Sequence, residues 1–538
     1  MDAKGGRSWK RFDTWRDILP GTGEIEIART FSATATPKES VRKSHSIPSS
    51  EWDYATISQL TAALQARRIS ASELTTHTIA RIEALDQRLN AVVVRDFERA
   101  RDAAMAADVA LARGERWLML GVPITFKEAF NIAGLPTTWG FPQFRHFVPK
   151  DDAVIVSRMK SAGAIIVGKT NVPLGLGDFQ SYNDIYGTTN NPWDTGRSPG
   201  GSSGGSAAAL AAGFGPLSFG SDIGGSLRVP AHFCGVYAHK PTLGLVPARG
   251  YSRPPLPPLP DGGDLAVVGP MARTAADLAL ALEVVAGPDE QRAGIGYRLA
   301  LPPARHNSLD SFRVLVIDTH PLMPTDNAVR TAIGRLSNRL TKSGVKVDHS
   351  SALLPSLADS ARLYMRLLAS AKSPSLPSER YEGTQRATEA LAPGDYSLEA
   401  ERIRGTVLSH RDWIDADIAR QRLQRQWNRI FREWDIVLYP AAPVPAFRHD
   451  HSLPIEERRI EIDGKAYPFY DAFFIWADPA TTCGLPATSA PIDLSPAGLP
   501  IGVQIIGPYL EDRTTIAFAA LLEREFGGFV PPPGYAGQ

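Results

Sequence analysis

The chain alternates between stretches of helical periodicity and short apolar runs. Apolar residues recur at three- and four-residue spacing through residues 55–86, which predicts helices with Ser70 or Ser72 as an N-cap. Five β-branched runs predict strands: "GVPITF" (121–126), "GAIIVGKT" (163–170), "FRVLVID" (312–318), "WDIVLYP" (434–440) and "GVQIIG" (502–507). Apolar strands that alternate with helices are typical of an α/β sandwich with a mixed sheet buried on both faces.

Two segments depart from this alternation. Residues 1–50 are polar, basic and without sustained periodicity, which predicts a disordered or loosely attached extension before one folded domain over residues 51–538. Residues 322–432 are helical and rich in arginine on one face. We favour outer helices of the same layer for that region, and the alternative is an insertion that covers the sheet.

Charge and cysteine content narrow the class of protein. The 538 residues carry a net charge of +1, and 21% of them are charged. This nearly neutral balance does not indicate a nucleic-acid or membrane-surface partner. Cys234 and Cys483 are too few for a disulfide framework, so we expect a reducing, cytoplasmic setting. The first residues contain no apolar signal-peptide core, and no run of about 18 apolar residues predicts a membrane span.

Three short motifs do not support the chemistry that they imitate. Residues 163–170 match the phosphate-loop pattern, but Ala164 to Val167 are strand-forming residues where a flexible loop is required. His449 and His451 have no further ligand at metal-site spacing, so a solvated loop is favoured. "SRMK" (157–160) imitates the SxxK motif of penicillin-binding enzymes but lies in a helical pattern. We therefore expect neither a metal nor another cofactor.

Two glycine- and serine-rich stretches, "GRSPGGSSGGSAAALAAG" (196–213) and "GSDIGGSLRVP" (220–230), carry a stronger signal. The first fits the GxSxG elbow pattern on Ser202 and on Ser203, but no strand precedes it as a hydrolase elbow requires. Glycines that lead directly into a helix instead indicate close backbone placement of one or two serines.

Lys127 ends an apolar strand, where a charged side chain is costly unless it is paired or neutral. Desolvation lowers the pKa of a lysine, so Lys127 could act as a base near neutral pH. A base, a relay hydroxyl and a nucleophilic hydroxyl suffice for acyl transfer without histidine. His232 and His239 are the next candidates for the base.

Together with "HKPTLGLVP" (239–247) and "GLPIGVQIIGP" (498–508), these elements resemble the amidase signature family over about residues 55–525. The resemblance implies a single large α/β/α sandwich with a mixed, twisted sheet covered by helices on both faces. It also implies an amide hydrolase of the stand-alone bacterial type that works through an acyl-enzyme without a cofactor. Ser226 would be the nucleophile, Ser202 the relay serine after a cis peptide bond, and Lys127 the base.

The resemblance assigns further residues around this triad. The backbone N–H groups expected in the oxyanion hole belong to Ile223, Gly224, Gly225 and Ser226. The side chains expected to support the triad, with ordinary loop hydrogen bonding as an equal alternative, are Ser203, Asp222, Arg228 and Thr170. Glu128 follows Lys127 where the family commonly has aspartate, and we expect this difference to affect packing and not the reaction class.

The substrate is left open by the sequence. The family implies small hydrophobic or aryl amides, with esters and carbamates (urethanes) as further substrates, and water as the second reactant. Residues 467–482, with the proline-rich loop 253–260, predict either an aromatic wall of the pocket or core packing. The alternatives are the glutaminase subunit of a tRNA-dependent amidotransferase and a non-catalytic scaffold, although residues 232–247 look more like stand-alone amidases. A homodimer is left open.

Overall fold

The computed structural model describes residues 50–258, 263–289 and 298–535. The predicted extension, apart from Ser50, lies outside these residues, and the predicted proline-rich loop lies partly outside them. The described part contains a large mixed sheet whose eleven strands are β1 (Val92–Arg95), β2 (Pro123–Lys127), β3 (Ile165–Thr170), β6 (Leu217–Asp222), β7 (Tyr237–Lys240), β8 (Val267–Ala272), β9 (Arg313–Val316), β10 (Lys346–Asp348), β11 (Ile436–Pro440), β14 (Ala487–Leu494) and β15 (Pro500–Ile506). Their order across the sheet is β1-β3-β2-β6-β8-β7-β14-β15-β11-β9-β10. Two small hairpins pair β4 (Tyr182–Asn183) with β5 (Gly187–Thr188), and β12 (Arg459–Ile462) with β13 (Lys465–Pro468).

All five predicted strands are present in this sheet, and the predicted α/β class is confirmed. Every residue of β2, β3, β6, β11 and β15 is buried. Successive side chains of a strand point to opposite faces, so uninterrupted burial means that both faces are covered. Parallel pairs (β2 with β3 and β6) and antiparallel pairs (β6 with β8) occur together.

The helices of the described part are α1 (Ile57–Gln65), α2 (Ala71–Leu85), α3 (Phe97–Ala112), α4 (Val154–Ser161), α5 (Gly204–Ala211), α6 (Arg228–Cys234), α7 (Ala275–Val285), α8 (Asn327–Lys342), α9 (Leu357–Lys372), α10 (Ser378–Glu389), α11 (Leu398–Thr406), α12 (His410–Glu433), α13 (Phe469–Thr482) and α14 (Asp512–Phe526). Of the two N-caps considered for α2, Ser70 is the one used, in a capping box with Glu73. The hydroxyl of Ser72 donates instead to Asp108.

The helices of region 322–432 pack in two different ways. Helix α8 packs on β10 and β14 and is an outer helix of the sheet, whereas α9 packs on α11, α12 and α13. The region also contains β10, which the helical pattern did not predict. This strand has three residues and pairs in parallel with β9 at the sheet edge, a contact that a helical periodicity cannot indicate.

The sheet order brings Lys127, at the end of β2, close to the glycine- and serine-rich segment that begins in β6. Strands β2 and β6 are parallel neighbours, with Thr125 opposite Ser218 and Phe126 opposite Phe219. Their carboxyl ends therefore lie side by side, which puts Lys127 next to the end of β6. The loop that follows β6 leads into α6, and residues 202–203 lead into α5.

Candidate active site

Lys127, the last residue of β2, is fully buried and is surrounded by hydroxyl groups. Its Nζ lies 2.7 Å from Ser202 Oγ, 3.0 Å from Ser203 Oγ and 2.8 Å from Ser221 Oγ. Burial lowers the pKa of Lys127 well below its ordinary value of 10.5, and the negative charge of Asp222 only partly opposes this. The three nearest partners are uncharged, so the amine is favoured as the neutral base that the sequence predicts.

The number of partners constrains the hydrogen bonds in this cluster. An ammonium group donates three hydrogen bonds and accepts none, whereas a neutral amine donates two and accepts one. With three serine hydroxyls around a neutral Nζ, one hydroxyl must donate to it. The cluster can therefore hold a serine proton directed at the lysine.

The glycines before α5 bring Ser202 and Ser203 close to the loop that follows β6. The Gly201–Ser202 peptide bond is cis, the form that the resemblance implies. A Cβ on Gly201 would collide with the carbonyl oxygens of Asp178 and Gln180, so only glycine fits there. The N–H of Ser203 donates to the carbonyl oxygen of Ser226 at 3.3 Å, which joins the two serine segments.

The loop from Asp222 to Arg228 is held together by the Asp222 carboxylate. This carboxylate accepts hydrogen bonds from the N–H of Gly225 (2.8 Å), the N–H of Leu227 (3.0 Å) and the guanidinium of Arg228 (2.8 and 3.1 Å). Gly225 has a φ of +99°, a conformation that favours glycine. Ser226, on this loop, is 7% exposed.

Asp222 and Arg228 form a fully buried ion pair. Burial by itself would raise the pKa of Asp222, but the Arg228 charge and the hydrogen bonds outweigh it and lower the pKa to about 2. Arg228 also donates to the carbonyl oxygen of Ala477 and to the hydroxyl of Thr481 on α13. The pair therefore anchors the loop to α13.

The backbone N–H groups of the loop are not equivalent. Within the described ranges, the structure gives no protein acceptor for the N–H groups of Ile223, Gly224 and Ser226. The N–H of Gly225, in contrast, is donated to Asp222 Oδ1. This contact argues against a place for Gly225 in the oxyanion hole, and the four-residue set stays a prediction.

Comparison with known proteins decides the family. The sequence model of the Amidase family matches residues 73–516. The chain belongs to the amidase signature family. It is 34% identical over 498 residues to a glutamyl-tRNA(Gln) amidotransferase subunit of Anaeromyxobacter sp. (strain K), covering 88% of this chain and 96% of the relative. It is 33% identical over 485 residues to indoleacetamide hydrolase of Bradyrhizobium diazoefficiens, covering 88% of this chain and 87% of the relative.

The solved structures agree with this assignment. A bacterial aryl acylamidase of the amidase signature family superposes with a TM-score of 0.73 at 26% identity, covering 88% of this chain and 97% of that chain. The expected α/β/α fold is therefore confirmed, and the protein is an amidase, a hydrolase of carbon–nitrogen bonds.

The supporting residues predicted for this amidase separate into two groups. Ser203, Asp222 and Arg228 contact Lys127 or the loop around Ser226. Thr170 lies beside Lys127 in the strand register, but its hydroxyl bonds to Ser206 at 2.7 Å and to the carbonyl oxygen of Phe126 at 3.3 Å. Its contacts are those of ordinary structural hydrogen bonding, the alternative that the sequence left open.

Ser221 was missed by the sequence reasoning. Its hydroxyl lies as close to Lys127 Nζ as that of Ser202, and its side chain is buried. The one available signal was its position, directly before Asp222 in a glycine- and serine-rich stretch. Only the pairing of β2 with β6 brings it to Lys127.

The two histidines considered as alternative bases have other partners. The ring of His232 lies between the backbone of Gly502 and the carbonyl oxygen of Val444, and burial lowers its pKa to about 4. His239 contacts Thr488 and Asp512. Both rings are therefore tied into the fold away from Lys127.

The motifs that the sequence analysis rejected have structural roles in this amidase. Residues 165–170 form β3, and the buried Lys169 donates to the carbonyl oxygen of Pro136 and to the hydroxyl of Thr137. Lys160 of the SxxK imitation pairs with Asp152 on the outside of α4. Across the described ranges, no group of three or more His, Cys, Asp or Glu side chains is arranged to hold a metal ion. The helices of these ranges include none that is both long and apolar enough to span a membrane.

Glu128 is buried and orders the loop that follows it. Its carboxylate accepts hydrogen bonds from the N–H groups of Thr138 (2.6 Å) and Trp139 (3.0 Å). Burial raises the pKa of Glu128, while the charge of Lys169 opposes this shift. These contacts are structural hydrogen bonds, and the expectation that Glu128 leaves the reaction class unchanged stays a prediction.

The aromatic residues of α13 divide between core and surface. Phe469, Phe473 and Trp476 are buried, whereas Tyr470 and Phe474 are half-buried and stack with ring centroids 5.3 Å apart. The core role is therefore confirmed for Phe469, Phe473 and Trp476, and the role of the helix as a pocket wall stays a prediction.

Aromatic rings also lie beside the Ser226 loop. A Cβ on Gly224 would lie 2.7 Å from the ring of Phe474, and one on Gly225 would lie 4.0 Å from the ring of Phe179. The half-buried ring of Phe474 is thus in contact with the loop that carries Ser226.

Proposed function

We propose that this amidase hydrolyses amides that carry an aryl or other apolar group, through an acyl-enzyme on Ser226. The observation that carries the proposal is the buried contact of Lys127 with Ser202. Beside it, three backbone N–H groups of the loop have no protein acceptor among the described residues. A neutral base, a relay hydroxyl and preorganised donors are the parts that acyl transfer without histidine requires.

The first half of the reaction forms the acyl-enzyme. Ser226 Oγ attacks the carbonyl carbon while its proton passes to Ser202 Oγ and the proton of Ser202 passes to Lys127 Nζ. The carbonyl oxygen becomes an oxyanion, which the N–H groups of Ile223, Gly224 and Ser226 stabilise. Gly225 is outside this set because its N–H is donated to Asp222.

The C–N bond then breaks, and the proton held by Lys127 returns through Ser202 to the leaving amine. In the second half, water attacks the acyl group and gives its proton to Lys127 by the same route. The acid is released, and Ser226 recovers its proton from Lys127 through Ser202. The net reaction converts the amide and water into an acid and an amine, and the enzyme is regenerated.

The proposed substrate class is supported by the apolar side chains that contact the loop. Phe474, Phe179 and Tyr364 supply aromatic groups near Gly224 and Gly225, and Val229 and Ala477 supply aliphatic groups. Apolar walls stabilise an apolar substrate by removing its surface from water. Aryl esters and aryl carbamates present the same group next to a carbonyl, so we include them as secondary substrates.

One observation favours a second candidate, the glutaminase subunit of a tRNA-dependent amidotransferase. The similarity to the glutamyl-tRNA(Gln) amidotransferase subunit of Anaeromyxobacter extends over 96% of that relative. Free glutamine carries two charged groups, which apolar walls recognise poorly. We therefore keep a small-molecule amide and water as the proposed partners, without nucleic acid or membrane. From the cysteine usage we also propose the reducing cytoplasm as the location.

The test is a comparison of kcat/KM for 4-nitroacetanilide, 4-nitrophenyl acetate, a phenyl carbamate and L-glutamine with the full chain. We expect the anilide to exceed glutamine by at least about 100-fold, since one buried aryl group is worth about 3 kcal/mol. The matched control is Ser226→Ala, which should abolish every activity. Preference for glutamine would contradict the substrate proposal, and lack of reaction with a fluorophosphonate probe would favour the non-catalytic alternative.

A further inference from the structure

Helix α9 touches the Ser226 loop through one hydrogen bond. The hydroxyl of Tyr364 donates to the carbonyl oxygen of Ile223 at 2.7 Å. Tyr364 is fully buried, and its ring meets Phe474 edge-on with centroids 6.3 Å apart. A residue of the helical region 322–432 therefore holds the backbone of the loop on which the proposed oxyanion hole is built.

This hydrogen bond fixes the orientation of the Gly224 N–H as well as that of the Ile223 carbonyl group. The peptide bond between Ile223 and Gly224 is trans, so its C=O and N–H point in opposite directions. With the oxygen of Ile223 directed at Tyr364, the N–H of Gly224 is directed away from α9. The orientation of one proposed oxyanion donor thus depends on a hydroxyl group on another element.

The Asp222 carboxylate holds the loop at the N–H groups of Gly225 and Leu227 but makes no hydrogen bond to the Ile223–Gly224 peptide. Gly224 and Gly225 follow one another, and Gly225 has a φ of +99°. Glycine populates positive and negative φ with similar ease, so the Ile223–Gly224 peptide plane can rotate at small cost. A rotated plane would present the carbonyl oxygen of Ile223 in place of the N–H of Gly224, and would repel a developing negative charge.

We propose that Tyr364 is a positioning residue for the oxyanion hole, because its hydroxyl locks the Ile223–Gly224 peptide with the N–H turned toward the reacting carbonyl. The inference rests on the proposed function. Burial raises the pKa of Tyr364 well above 10, so the hydroxyl keeps its proton over the whole range in which an amidase is assayed. The helical region thereby contributes to the rate of the reaction through Tyr364.

The variant that tests this role is Tyr364→Phe, which keeps the ring against Phe474 and removes only the hydroxyl. Loss of one oxyanion donor typically lowers kcat by about 10²–10³-fold. Here the donor is loosened and not deleted, so we expect kcat for 4-nitroacetanilide to fall about 10- to 100-fold. KM should change less than about threefold, because the ground-state amide needs the oriented donor much less than the oxyanion does.

A second measurement separates positioning from a general loss of structure. An aryl trifluoromethyl ketone adds reversibly to the Ser226 hydroxyl and forms an oxyanion in the same place. Its affinity should fall by the same factor as kcat/KM in Tyr364→Phe. Binding of the intact anilide, measured in the Ser226→Ala background with and without Tyr364→Phe, should stay the same.

Tyr439→Phe is the matched control. Tyr439 is also fully buried, but its hydroxyl has no hydrogen-bond partner within the described ranges. It should keep wild-type kcat and inhibitor affinity, because removal of its hydroxyl breaks no hydrogen bond of the described residues.

Two results would overturn the inference. One is a Tyr364→Phe enzyme with the kcat and inhibitor affinity of Tyr439→Phe, and the other is a fall in kcat with unchanged inhibitor affinity. Retained activity in Ser226→Ala would instead refute the proposed function itself, so the two failures are distinguishable.

Discussion

Lys127 Nζ and Ser202 Oγ lie 2.7 Å apart, and the two residues are 0% and 2% exposed. A proton can therefore pass between them without an intervening water molecule. Desolvation lowers the pKa of Lys127 well below 10.5, which favours the neutral amine in this buried contact.

Replacement of Lys127 with methionine should abolish amide hydrolysis and preserve the fold. Since general acid–base catalysis contributes about 10²–10⁴-fold, kcat/KM for 4-nitroacetanilide should fall by about the same factor. The leaving group of an activated ester such as 4-nitrophenyl acetate is a weak base that needs little protonation. Its kcat/KM should therefore fall much less. Initial rates on both substrates check this, with melting curves as the folding control. Equal losses on both would show that Lys127 only activates the nucleophile.

The same variant should change how activity and stability depend on pH. In the wild type, activity should rise with pH through the lowered pKa of Lys127, because only the neutral amine accepts a proton. Between that pKa and 10.5 the unfolded chain binds a proton that the folded chain does not, so the free energy of unfolding rises with pH over this window. Denaturant titrations at several pH values should show the rise in the wild type. Its persistence in Lys127→Met would assign it to another group.

The two serines should differ in their response to substitution. Ser226→Ala should abolish both hydrolysis and labelling by a fluorophosphonate, because the bond to phosphorus forms on Ser226. Ser202→Ala should slow both by a factor on the order of 10³ but leave the residual label on Ser226, since a relay moves protons without forming the bond. Mass spectrometry of the labelled peptides locates the adduct. A label on Ser202 in the wild type would reverse the assignment.

Asp222→Asn should lower the free energy of unfolding by about 3–5 kcal/mol, because it leaves the buried charge of Arg228 unpaired. It should also lower kcat, because the Asp222 carboxylate holds the Ser226 loop. Urea titrations measure the stability. Asp493→Asn is the control: it breaks the exposed ion pair with Arg335 and should cost less than about 1 kcal/mol.

The stabilisation from Asp222 has a defined pH window. Its folded pKa of about 2 lies below the ordinary value of 3.8, so the contribution is complete above 3.8 and is lost as the pH falls through about 2. The wild type should therefore approach the stability of Asp222→Asn near pH 2. An equal difference between the two proteins at pH 2 and pH 7 would be inconsistent with an ionised Asp222.

Phe474→Ala should weaken recognition of the aryl group. The ring is half-buried beside Gly224, and its contact with an aryl substrate is worth about 1.5–3 kcal/mol. KM for 4-nitroacetanilide should then rise about 10- to 100-fold, while kinetics with acetamide, which has no aryl group, should change little. A parallel loss on both substrates would mean that Phe474 supports the loop and does not bind substrate.

The local sequence pattern was sufficient to predict the five apolar strands and the N-cap of α2. The five apolar runs became strands of the sheet, and Ser70 caps α2, because burial and capping depend on neighbouring residues. Lys127 could be singled out because a lysine that ends a buried strand must be paired or neutral, and the structure surrounds it with serine hydroxyls. Its role as the base stays a prediction.

Tertiary structure decided the contacts between distant parts of the chain. Ser221 reaches Lys127 because β2 pairs with β6, and Tyr364 reaches Ile223 across 141 positions because α9 packs on α13. The N–H of Gly225 is taken by a carboxylate three residues away, in a turn that glycine makes possible but that no periodicity indicates. Such contacts depend on the order of strands and the packing of helices, which are properties of the whole chain and not of any short segment.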